Sequence, residues 1–86
     1  MKLRENFILH RAGEKSYLVP VGGANFAGVV QGNDLLGEIL SLLQEETSEN
    51  AIVDALCDQI DAPRETLSRD VGTVIRSLRE IGALEP

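Results

Sequence analysis

Three short β-favouring runs followed by three amphipathic helical patterns predict an α+β domain, a three-stranded antiparallel sheet followed by three helices. Two further observations support this order: turn residues separate the first two runs, and the apolar period changes from two to about 3.6 after Gly32. With 86 residues, a net charge of −6, 26% charged and 43% hydrophobic side chains, the chain reads as a single domain over residues 1–86. A domain of this size buries roughly 60% of the surface its unfolded chain exposes, which leaves no room for a deep cleft between lobes. Composition therefore points to a binding module rather than an enzyme.

The first strand is expected over Phe7–Arg11 and the second over Tyr17–Val19, ending at Pro20, which cannot donate to a ladder. Between them, Ala12-Gly13-Glu14-Lys15 suits a hairpin connection. A third run, Phe26-Ala27-Gly28-Val29-Val30-Gln31, is bounded by Gly22-Gly23 and Gly32 and predicts a strand centred on Val29-Val30.

Asn33 is a good N-cap, and Asp34 places negative charge in the first helical turn. Leu36, Ile39, Leu40 and Leu43 then recur with helical spacing, and Leu35 and Leu42 widen that stripe to one side. Burial on two sides of a small core and contact with another protein through Leu35, Ile39 and Leu42 are both open readings. Thr47 and Ser48 can cap a second helix with Ile52, Ala55, Leu56 and Ile60 on its apolar face. Pro63 is placed as first residue of a third helix, whose apolar face is Leu67, Val71, Val74, Ile75, Leu78 and Ile81 and whose C-terminal cap is Gly82.

Charge is uneven along the chain: residues 1–15 carry a net +2, residues 16–63 a net −8 with no Lys or Arg, and the remainder balances. Such an acidic middle repels a polyanion, which argues against nucleic acid as a partner. A winged-helix DNA-binding protein, using Arg69, Arg76 and Arg79, is the first alternative, and a protein–protein adaptor the second. His10 and Cys57 stand alone on separate elements, so no nucleophile–base pair, zinc site or disulfide is implied, and neither cofactor nor metal is expected. The lone cysteine and the absence of a signal-like or membrane-length apolar run lead to the expectation of a cytoplasmic protein with no membrane partner.

Several segments in succession carry a resemblance. Met1-Lys2-Leu3-Arg4-Glu5-Asn6-Phe7-Ile8-Leu9, then Leu18-Val19-Pro20-Val21-Gly22, then Asn25-Phe26-Ala27-Gly28-Val29-Val30-Gln31-Gly32-Asn33-Asp34, and finally Asp70-Val71 through Leu78-Arg79-Glu80-Ile81-Gly82-Ala83-Leu84 resemble the PqqD-like family. Two places depart from it: Leu35-Leu36 stands where the family has a Thr-Gly pair, and Leu40 where it has an aromatic residue. The resemblance implies a fold of winged helix-turn-helix type. It also implies a role as a peptide chaperone that binds the leader of a ribosomally synthesised precursor peptide and presents it to a modifying enzyme, such as a radical S-adenosylmethionine enzyme.

By the same resemblance the leader adds as an antiparallel strand beside the third strand and against the last helix. That mode needs a free strand edge for affinity and an apolar groove for selectivity. Gly28, Val29, Val30 and Gln31 are the expected edge, although the glycines equally suit strand termination. On the helix, one flank carries Ser68, Gly72, Ile75 and Arg79, with Arg76 beside it; Gly72 suits either close approach of a peptide backbone or tight packing in the core. Arg69, Arg76 and Arg79 share a broad exposed face of this helix; a solvated face is the default reading, and pairing with carboxylates of an acidic leader follows only if the groove runs along it. The opposite flank, with Asp70, Val74, Ser77 and Ile81, is a competing groove wall. Docking on the modifying enzyme, or self-association into a homodimer, is expected at the stripe of Leu35, Ile39 and Leu42.

Overall fold

Alternation of inward Phe7 and Leu9 continues across a tight turn into Ser16 and Leu18, and the chain closes there into a hairpin. The computed structural model describes residues 1–22 and 28–85. Strand β1 is Lys2–Leu3, β2 Phe7–Ala12, β3 Lys15–Pro20 and β4 Val30–Gly32; helix α1 is Asp34–Leu42, α2 Glu49–Gln59, α3 Arg64–Glu80, and β5 is Leu84–Glu85. The hairpin turn is Gly13-Glu14, with positive φ (62°) at Gly13 alone, as a type II′ turn requires. The main sheet has the order β2-β3-β4, all antiparallel, with Leu9 opposite Leu18 and Leu18 opposite Val30.

The helix starts follow their caps. Asn33 Oδ1 accepts from the Leu36 N–H at 3.3 Å, and Ser48 Oγ accepts from the Ala51 N–H at 3.2 Å. Pro63 is the residue before α3 rather than its first residue, and Gly82 adopts the left-handed φ of 74° just past its end. Helix α1 packs on the sheet and α2 packs against α1 and α3, and the core between them is built on Leu18, Ile39, Leu40, Leu43, Ile52, Leu56, Val71, Ile75 and Leu78, all 2% exposed or less. Arg64 joins α3 to α2 through Asp54 at 2.6 Å; that carboxylate raises the guanidinium's already high pKa by accepting its hydrogen bond and through its charge.

Four expectations change. The third strand does not run from Phe26 to Gln31: within the described residues it begins at Val30 and includes Gly32, which pairs with Ser16, while Asn25, Phe26 and Ala27 lie outside the described residues. Gly32 does not terminate the strand. It lets α1 sit close, since a Cβ there would lie 2.9 Å from the Leu36 Cβ. Ile39 is fully buried and so is no partner contact, while Leu35 and Leu42 pack half-buried against the core; α1 is held between the sheet and α2 and spends its width on both. Finally, the chain ends pair as a second small sheet, Lys2 opposite Glu85 and Leu3 opposite Leu84, in segments too short to show a period.

Candidate peptide groove

Strand β4 is bonded to β3 on one side only, so among the described residues its other edge is unpaired. An unpaired edge holds backbone N–H and C=O groups that a second extended chain can satisfy. Facing this edge is α3, and between them lies a groove of about 370 Å³ lined by Val30, Gln31, Gly32, Asn33, Leu36, Thr73, Val74, Ser77 and Leu78. Its floor is aliphatic, with Leu36 and Leu78 nearly buried and Val30 and Val74 half-buried; Gln31, Asn33, Thr73 and Ser77 form an uncharged polar rim. The Thr73 hydroxyl is turned back to the Arg69 carbonyl at 3.1 Å, which leaves its methyl as the available surface.

The groove brings together Val30 and Gln31 with Val74 and Ser77, the helix wall that the sequence left in competition. Thr73 joins them; it lies one turn before Ser77 on the same flank, a spacing visible in the sequence but with no apolar signal to mark it. Val29 lies just before β4 and is 56% exposed, and Gly28 precedes it half-buried.

The other flank of α3 does not line the groove. Ile75 is 2% exposed and belongs to the core, so no peptide side chain can rest on it. Ser68, Gly72, Arg76 and Arg79 likewise do not line the groove; Ser68, Arg76 and Arg79 are exposed on another side of α3. Nothing lies within 4 Å of a Cβ built on Gly72, which removes tight core packing as its reason. The Arg79 guanidinium sits 3.7 Å from the Met1 sulfur, and no arginine lines the groove.

His10 is exposed on β2 with its ring centroid 6.2 Å from that of Tyr17, Cys57 is half-buried on α2, and no group of three potential metal ligands occurs among the described residues. No helix among them is long and apolar enough to cross a membrane.

The fold has a solved counterpart. The structure described as "TbiB1 in Complex with the TbiA(beta) Leader Peptide" superposes with a TM-score of 0.75 over 99% of this chain and 100% of that one, at 24% sequence identity. At that identity the likeness speaks to fold. No curated protein matches the chain. With the description Coenzyme PQQ synthesis protein D (PqqD) matching residues 24–84, which include β4 and all three helices, the chain belongs to the PqqD family.

Proposed function

We propose that this chain is a peptide-recognition element that captures the leader of a ribosomally synthesised precursor peptide in the groove between β4 and α3. The leader adds as a strand along Gly28–Gln31, and an apolar side chain seats on Val30, Leu36, Val74 and Leu78. The observation that carries this reading is the conjunction of an unpaired strand edge with an aliphatic floor. The neighbouring fold, solved with a leader peptide, supports it. The chain performs no chemistry in this scheme: it holds the leader extended and delivers it to a modifying enzyme, for which a radical S-adenosylmethionine enzyme is the family's suggestion.

Because the groove lining is uncharged, its selectivity lies in shape and apolar contact rather than in the acidic character of the leader. The test is titration of a synthetic peptide with the sequence of the cognate precursor's leader into isotopically labelled protein. Amide shifts confined to β4 and α3 are expected in the wild type. Val74→Asp, at a half-buried groove position, is expected to weaken capture by about 1–3 kcal/mol with the spectrum still dispersed. Shifts centred on Ser68, Gly72 and Arg76 instead would move the site to the other flank.

A further inference from the structure

Building on that reading of the groove, we infer that the outer face of the sheet, at the Ile8 and Val21 end, is the surface on which the leader-modifying enzyme docks. Helix α1 packs on one face of β2-β3-β4. On the other face alternation places Ile8 opposite Val19, with Val21 two residues further along and Gln31 opposite Tyr17. The large hydrophobic side chains most exposed to solvent among the described residues are Ile8 at 51%, Val21 at 41% and Val29 at 56%; Val29 precedes Gln31 by two and extends the same alternation.

These residues come from three separate stretches, yet the register gathers them at one end of one face. The Val21 N–H donates to the Asn6 carbonyl at 2.9 Å, which holds that end of the hairpin in place. On the strands themselves this end of the face carries no charge, with Lys15 at the far, turn end, while Lys2, Arg4 and Glu5 line the same hollow as Ile8 and form a charged rim. An apolar centre depleted of charge is the composition of a protein interface core.

Continuity with the groove identifies the occupant. A leader strand added to β4 becomes the fourth strand of this sheet. Its side chains then alternate, one set entering the groove beneath and the other standing on the outer face beside Val29 and Gln31. A partner seated on that face touches the patch and the outward half of the leader at once. This is the geometry required of an enzyme that must accept this chain's peptide and no other. On α1, Ile39 is fully buried, and only the half-buried Leu35 and Leu42 of its stripe reach the surface.

The experiment uses the full chain with its cognate precursor peptide and modifying enzyme, and Ile8→Lys and Val21→Lys combined. Both positions are exposed, and circular dichroism with thermal melting verifies the fold. The doubly substituted chain is expected to bind the enzyme roughly 10- to 30-fold more weakly, the loss typical of a removed interface centre. Its affinity for the leader alone is expected to stay within about twofold, since neither side chain lines the groove. Unchanged enzyme binding overturns the inference, as does a parallel collapse of leader affinity or a wild-type dimer that the substitutions dissolve. If the wild-type chain fails to bind the leader, the functional reading itself falls, which separates the two failures.

Discussion

A methyl group added at Gly37 would collide with the Ser16 hydroxyl and lie 2.8 Å from Arg11 Nε, so α1 reaches the sheet only because this position has no side chain. Ser16 is fully buried with no hydrogen-bond partner for its hydroxyl, another sign that helix and strand meet at minimum distance. Gly37→Ala is expected to destabilise by about 1–2 kcal/mol despite the better helix propensity of alanine. In a Ser16→Ala background the cost is expected to shrink, and urea unfolding of the four variants measures that coupling. Gly72 behaves oppositely. With nothing near its Cβ position, Gly72→Ala is expected to stabilise by about 0.5–1 kcal/mol and leave leader titration unchanged. Both glycines interrupt helical patterns alike in the sequence; only the neighbour across the gap tells them apart.

At the scale of elements, β4 is the strand whose backbone matters most for capture. In an antiparallel pair the N–H groups of successive residues point alternately to the partner and away from it. Of Val30→Pro and Gln31→Pro, one is therefore expected to abolish leader binding while keeping the amide spectrum dispersed, and the other to disrupt the β3–β4 pairing as well. Wild-type binding by both variants would contradict strand addition. The helices were legible because caps and period-3.6 apolar positions are local signals: Asn33, Ser48 and Gly82 all stand where their residue types suggest. Strand β4 was harder, since three residues carry too little periodicity and the flanking glycines have two meanings.

For the molecule as a whole, the clasp of β1 with β5 ties the chain ends to the core. Leu3 is 4% exposed, its N–H donates to the Leu43 carbonyl at 2.9 Å, and the Arg4 N–H donates to Ala83 at 2.8 Å. Leu3→Ala is expected to cost about 2–4 kcal/mol in chemical unfolding, a large share of the stability of so small a domain, while leaving groove shifts in place. By itself the sequence determined the α+β class, the hairpin, the three helices and most of the core, because each follows from periodicity and from residues that start or stop an element. Only the tertiary structure decided which flank of α3 meets β4, that Ile39 and Ile75 are interior, and that Ile8, Val21 and Val29 share a face. The reason is geometric: a pattern along one element states where a residue lies around its own axis. The neighbour it meets depends on how separate elements dock, through contacts between residues far apart in the chain.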